Sequence, residues 1–394
     1  MLIIRSVKRS LLLIFLTPVL LLPNFVCRAD ESARCISSFP TDGAMRVLVV
    51  LAQYQNVSFS TPDAAMYFDR MLNEEGFSDN GARGSARDYF MAQSGGRFDV
   101  VFDVAGPVTL SQRRSYYGAD SGSVPGNDVH ADVMVTESLA LLGESMDMSA
   151  YDRDGDGLID NVFVIYAGMD QAAGAPSEAV WGHAGAVLDA AGNPHVQYGD
   201  KTLRDYVCVS ELKADGSPTA IGVFCKELVH TLGVPYLNAT AAPLSCTPGA
   251  WSLMDTGYLN GGGRCPAGLS SFELYTLGWC APRVLGAPSS ELLRPLSEGG
   301  MSYIVPASVP DEFFLLENRQ QSGWDAALPY HGLIVWHVDY DGYVWEQDVV
   351  NSNSRHQYVD LLEASGVANN LSQQTMSGYP FPGAAGVGAF SLLS

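Results

Sequence analysis

Residues Cys225 to Gly233 read "CKELVHTLG", and three of their side chains carry usable chemistry. Glu227 and His230 are three positions apart, so on a helix they share a face. A histidine at position 226 would stand at i with His230 at i+4, the spacing with which two imidazoles hold one zinc ion. The glutamate beside the first would then act as general base toward a metal-bound water. Position 226 is instead Lys226, a cation without a free lone pair at neutral pH, which repels a metal ion. Alone, the Glu-x-x-His remnant is weak, because many helices contain it by chance.

A second cluster, "YDRDGDGLIDN", sets Asp152, Asp154 and Asp156 at alternate positions, followed by Gly157 and Asp160. Carboxylates at loop positions 1, 3 and 5 with a glycine at 6 can wrap a calcium ion, which takes six to eight oxygens. Leu158 would give its carbonyl at position 7, and Asp160 would act directly or through water at position 9. Position 12 is Phe163 rather than a bidentate glutamate, so the loop predicts a structural calcium site and not a sensor. The bland alternative is a solvated acidic turn, against which the mutual repulsion of the carboxylates counts.

The flanks of the first motif are far more specific. "GVFCKELVHTLGVPYLN", "WSLMDTGYLNGG" and "ELYTLGW" resemble the immune inhibitor A type of secreted bacterial metalloprotease. So do "GSARDYFMAQSGGRFD", "YDRDGDGLIDNVFVIYAG", "ENRQQSGWDAALPYHGLIVWHVDY" and a late "FPG", from about residue 44 to residue 383. The resemblance implies a zincin fold, with Met254 of "WSLMD" in a methionine turn beneath the metal. It also implies the zinc motif His-Glu-x-x-His-x-x-Gly-x-x-Asp, in which Glu227, His230 and Gly233 match. Lys226 replaces the first histidine and Tyr236 the aspartate taken as third ligand, so two of the three protein ligands are missing.

Three readings follow from that mismatch. The first is a metal-free pseudoprotease in which Glu227 and His230 are vestigial and the Lys226 ammonium sits where zinc would be. Its cleft still engages extracellular polypeptides, as a binding or decoy protein. The second is a zinc-dependent endopeptidase of extracellular proteins, either active or impaired and recruiting ligands such as His183 or His337, although each of these has a plainer structural role. The third is a decayed gene copy, since "AAGVGAFSLLS" up to Ser394 does not continue the β-rich pattern.

These side chains need elements to position them. "AMRVLVVLAQY", "NVFVIYAG" and "YVCVSEL" are continuous apolar runs that predict buried strands. "TPDAAMYFDRMLNEEG", "GSARDYFMAQSGG", "DVHADVMVTESLALLGE" and "AIGVFCKELVHTLG" predict helices, the last ended by Gly233. "RFDVVFDVAGPVTL" predicts a strand that runs to a sheet edge and breaks at Pro107. Beyond Cys280, "MSYIVPASV", "EFFLLENRQ", "GLIVWHVDY" and "QYVDLLEAS" predict further strands. The expected fold class is α/β: a zincin-like metalloprotease domain with twisted mixed sheet, active-site helix and methionine turn, then a β-rich C-terminal portion. Its expected divisions are a signal peptide at 1–29, the metalloprotease-like domain at 30–285, and a β-rich portion at 286–394 that looks truncated.

The opening carries Arg5, Lys8 and Arg9 ahead of an apolar run interrupted by Pro18, and a cleavage site follows Ala29. Such a run predicts a removable secretory signal and no stable membrane insertion after its cleavage. The expected location is secreted, periplasmic or at the cell surface. The net charge of −21 excludes nucleic acid as a partner, since that affinity rests on basic side chains. Six cysteines remain after cleavage and permit disulfides, with Cys208–Cys225 and Cys246–Cys265 the expected pairs.

Overall fold

A computed structural model describes residues 2–8, 11–16, 40–122, 126–143, 146–239, 247–353, 355–367 and 372–390. Of residues 1–39, only the backbone of Leu2–Lys8 and Leu11–Leu16 is described, and these pair as antiparallel strands. No helix among the described residues is long and apolar enough to cross a membrane. The protein is mixed α/β and divides into two compact units, one of Asp42–Ala92 and Gly96–Glu227. The other holds the described parts of Met1–Thr41, Gln93–Gly95 and Leu228–Ser394.

The unit beginning at Asp42 is organised by a five-stranded sheet. Its strands are β1 (Gly43–Gln53), β2 (Phe98–Thr109), β3 (Val162–Met169), β4 (His183–Ala186) and β5 (Asp205–Leu212), in the order β2-β1-β3-β5-β4. The first four in that order run parallel, and β4 closes the edge antiparallel to β5. Parallel strands are covered on both faces, and this explains their unbroken apolar runs. Leu48, Val50, Val164, Tyr206 and Cys208 line one face and pack with Met134, Val135 and Leu139 of helix α3 (Ala131–Leu142). Helices α1 (Ala64–Asn73) and α2 (Ala86–Gln93) precede β2. On the other face, Phe163 meets Phe224 of helix α4 (Ile221–Thr231), with ring centroids 5.4 Å apart.

One expectation fails here. Cys208 and Cys225 are buried free thiols, not a disulfide. Alternation along β5 turns Cys208 toward α3, while α4, which carries Cys225, covers the opposite face. Cys246, half of the second expected pair, lies outside the described residues. The strand expected to break at Pro107 is interrupted there, Gly106 and Pro107 standing opposite Leu51 alone, and pairing then resumes with Val108 on Ala52 and Thr109 on Gln53. Because β2 is the outermost strand, its outer edge has no ladder for the missing prolyl N–H to interrupt.

At the end of β5 the buried Glu211 ties three segments together. Its Oε1 accepts from Ser60 N at 2.8 Å, Ser60 Oγ at 3.0 Å and Thr61 N at 2.6 Å, and its Oε2 from Gly168 N at 2.8 Å. Every partner but one is a main-chain amide, so the charge is held without a cation.

The other unit contains a sheet of β6 (Arg283–Val284), β7 (Tyr303–Pro306), β8 (Glu312–Arg319), β9 (Gly332–Asp339) and β10 (Val359–Leu361), paired in that order. Arg319, fully buried, grips Asp325 at 2.7 and 2.6 Å and also reaches Glu317 at 3.2 Å. Glu317 accepts in turn from Trp336 Nε1 and from the Ser271 amide, so each buried charge has partners on several sides.

Another buried carboxylate, Glu273 of helix α5 (Ser271–Thr276), forms a capping box with Ser270. It also accepts from Ser252 Oγ at 2.6 Å and from Met254 N at 3.1 Å, which fixes the turn carrying the fully buried Met254. Met254 O accepts from Leu237 N at 2.9 Å, so the same turn is fastened to the chain that follows α4.

Candidate metal-binding helix and acidic loop

Helix α4 carries Lys226, Glu227 and His230 and ends at Thr231, with Gly233 at φ 98° turning the chain away. Lys226 and Glu227 form an ion pair, Nζ to Oε1 at 3.2 Å, with side chains 15% and 9% exposed. In that partly desolvated setting the carboxylate that resembles a general base is turned toward an ammonium group.

Beyond the helix, His230 is held from three directions. Its Nδ1 donates to Val234 O at 3.1 Å, an assignment forced by the carbonyl, which only accepts. The Tyr236 ring stacks on it at 4.0 Å and 16°. Its Nε2 lies 3.8 Å from Asp348 Oδ2, and Asp348 Oδ1 accepts from Tyr236 N at 2.9 Å. Tyr236 therefore contributes a ring and an amide where the zinc motif has a carboxylate.

The candidate substitute ligands have other partners. His183 Nδ1 donates to Trp181 O at 2.7 Å, its Nε2 accepts from Tyr206 Oη at 3.0 Å, and Cys208 Sγ lies 3.4 Å from Nδ1. His337 meets Glu312 at 2.7 Å and stacks on Phe314 at 5.0 Å. Among the described residues, the one group of three metal-ligating side chains is Asp152, Asp154 and Asp156. The residues around His230 do not fit a zinc ion held by three protein ligands.

The acidic loop is turned by Gly155 and Gly157, both at positive φ. Asp152 caps both amides, Oδ1 at 2.9 Å from Gly155 N and Oδ2 at 3.1 Å from Gly157 N. Asp154 and Asp156 each accept the amide two residues on. Leu158 begins the short strand Leu158–Ile159, which pairs with Lys201–Leu203. Asp160 stands apart from the three, accepting from Arg153 N at 2.9 Å. Burial pushes its carboxyl up to about 7, and Asp154, Asp152 and Asp156 add to the rise.

The loop also holds a group that spacing did not reveal. Lys201 Nζ lies 2.8 Å from Asp152 Oδ2. Burial works against ionisation of Asp152, but the Lys201 ammonium and the Gly157 and Gly155 amides prevail and keep its carboxyl below the ordinary value. Asp348 and Lys201 come from distant parts of the chain, and no local pattern marks either one.

A mixed sheet, a Glu-x-x-His helix and a pinned turn at Met254 accord with a metallopeptidase homologue. The chain belongs to the immune inhibitor A peptidase M6 family, whose catalytic-domain model matches residues 50–280. It is 25% identical over 254 residues to the pre-pro-metalloprotease PrtV of Vibrio cholerae serotype O1, covering 56% of this chain and 26% of that one. It is 27% identical over 252 residues to immune inhibitor A of Bacillus thuringiensis subsp. alesti, covering 54% of this chain and 36% of the relative. The matched region thus spans about a quarter to a third of these relatives. Membership of a metallopeptidase family implies a metal cofactor, zinc being the one its chemistry uses.

Proposed function

We propose that this chain is a secreted peptidase homologue of zincin fold that no longer hydrolyses peptide bonds and instead engages extracellular polypeptides. The observation that carries this reading is the Lys226–Glu227 ion pair at 3.2 Å. An ammonium beside the glutamate neutralises the carboxylate that hydrolysis needs as a base. It also raises the electrostatic cost of a divalent ion one turn from His230. Water that no metal activates keeps a pKa near ~15.7, far from the ~7 of zinc-bound water. In this reading Glu227 and His230 are vestigial.

The binding half of the proposal draws support from β4. It is an edge strand with only β5 as neighbour among the described residues, so its outer edge offers main-chain groups to an extended peptide. The basic and apolar opening supports export, with residues 1–29 as leader, 30–285 as the peptidase-like domain and 286–394 as the remainder. The loop of Asp152, Asp154 and Asp156 supports a structural calcium ion.

Metal analysis of the purified protein, paired with casein digestion, tests the reading. The expected result is far less than one zinc per chain and no chelator-sensitive cleavage. Stoichiometric zinc together with chelator-sensitive proteolysis overturns it in favour of the active endopeptidase.

A further inference from the structure

We propose that Asp128 and His183 form a pH-sensitive latch, which fastens the start of edge strand β4 while the pair holds a proton and loosens it once that proton is lost. Polypeptide binding along β4 is the reading that gives the latch a use, but the latch is detected without any bound polypeptide, so the two fail separately.

An incomplete set of hydrogen bonds is the first ground. The Asp128 side chain is only 1% exposed. Its Oδ2 accepts from Trp181 N at 3.0 Å, while its Oδ1 is buried with no hydrogen-bond partner among the described residues. A charge placed there is offset by a single amide, and burial makes that costly. His183 does not supply the missing bond. Its Nδ1 lies 4.0 Å from Asp128 Oδ2 but donates to Trp181 O at 2.7 Å, and its Nε2 meets Tyr206 Oη at 3.0 Å. One added proton settles the pair wherever it rests. On Asp128 it removes the buried charge, and on His183 it places a cation beside that charge.

The surroundings offer no other counter-charge. Asp120, bridged to Asp128 through the main chain, is itself an acid and accepts from Gln171 Nε2 and Gly126 N. Asp170 and Asp132, which act on Cys208 and Tyr206, are acids as well. Burial pushes the Cys208 thiol and the Tyr54, Tyr166 and Tyr206 phenols up, so all four stay neutral. Arg114 acts on Tyr54, and no lysine or arginine among the described residues offsets Asp128. Burial pushes the Asp128 carboxyl up to about 6, against the pull of the Trp181 amide and His183. The folded chain therefore keeps this proton above the ordinary carboxylate range and gives it up as pH rises through about 6.

What the carboxylate holds is the second ground. Trp181 is fastened twice to one loop, its amide to Asp128 and its ring against Gly126, where a Cβ would meet ring atoms at 3.0–3.3 Å. Just before it, Val180 N lies so near Gly118 that a Cβ there would stand 2.3 Å away. Trp181 and His183 are 37% and 30% exposed, so water is close at hand. Once ionised, the carboxylate reaches that water when the segments 126–130 and 181–183 part, which frees the first residue of β4.

Amide hydrogen exchange of the full chain tests this, read by mass spectrometry on fragments spanning residues 179–187. The native chain and Asp128→Asn, which has no proton to lose at this position, are compared at about pH 5 and about pH 8. At the higher pH the native fragment is expected to exchange at least about 10-fold faster than the variant's, and at the lower pH the two should coincide. Fragments of β1 should match throughout, which marks the opening as local. Equal exchange at the higher pH overturns the proposal, as does a difference of the same size at both. Faster native exchange confined to the lower pH reverses the sign and overturns it too. Should Asp128→Asn fail to fold, the native chain decides by its own ratio of exchange in 179–187 to exchange in β1. A rise of at least about 10-fold from the lower pH to the higher supports the latch, and an unchanged ratio overturns it.

Discussion

Lys226 Nζ lies 3.2 Å from Glu227 Oε1, so adjacent residues on one helix neutralise each other in a partly desolvated place. Removing only the cation leaves a carboxylate short of one partner. Lys226→Met is expected to cost about 1–2 kcal/mol, between the exposed and buried limits for ion pairs. Lys226→Met/Glu227→Gln recovers part of that loss. Urea unfolding of the four proteins gives the coupling, and a value below about 0.5 kcal/mol would leave the pair without energetic meaning.

Glu273 serves three donors at once: Ser252 Oγ, Met254 N and Ser270 N. In Glu273→Ala all three lose their acceptor inside the core, and the expected loss is roughly 3 kcal/mol or more. Glu273→Gln keeps an acceptor and is expected to lose less. Thermal unfolding orders the two variants, and an alanine variant within about 1 kcal/mol of the native chain contradicts the assignment.

In the proposed calcium site the ion is held by the folded loop and not by the unfolded chain, so calcium is expected to raise the unfolding temperature. At a hundredfold excess over Kd the gain is about 2.7 kcal/mol. Asp154→Asn and Asp156→Asn should each abolish most of that shift. Lys201→Met removes the ammonium beside Asp152 and should tighten calcium binding, measured by calorimetry. Weaker binding in Lys201→Met would show that the lysine supports the site rather than competing for it.

Asp128 sets a pH dependence. Burial pushes its carboxyl up to about 6; the Trp181 amide and His183 pull it down, and Asp120 pushes it up. Its Oδ1 is buried with no hydrogen-bond partner among the described residues. The folded state thus keeps a proton that the unfolded chain releases near the ordinary value of 3.8. The stability from this proton is full below about pH 4 and is lost as pH rises through about 6. Asp128→Asn cannot ionise, so at pH 8 it should unfold roughly 2–4 °C above the native chain. Near pH 4 the two should coincide. A constant difference at both pH values would rule out a titrating origin.

The sheet of the first unit was legible because its central strands are buried on both faces and therefore advertise themselves. "AMRVLVVLAQY", "NVFVIYAG" and "YVCVSEL" lie on β1, β3 and β5 to within a residue or two. The edge strand β4 was not, since "HAGA" is four small residues with no periodic signal. Lys226 and His230 were legible because helical spacing is local. Asp348 was not, because its hydrogen bond to Tyr236 spans 112 residues. The Cys208–Cys225 pairing failed for a related reason, since sequence does not reveal which face of a sheet a helix covers.

Glu211 bears on how such a chain can drift. Its carboxylate holds Ser60, Thr61 and Gly168 almost wholly through peptide amides, and every residue except proline has one. The side chain of Thr61 can change without releasing the anchor, and so can residues in helix α4, whereas Gly168 is kept by its φ of 87°. The scaffold is insulated from the fate of its active centre. A lineage built this way can abandon its chemistry and still inherit its shape.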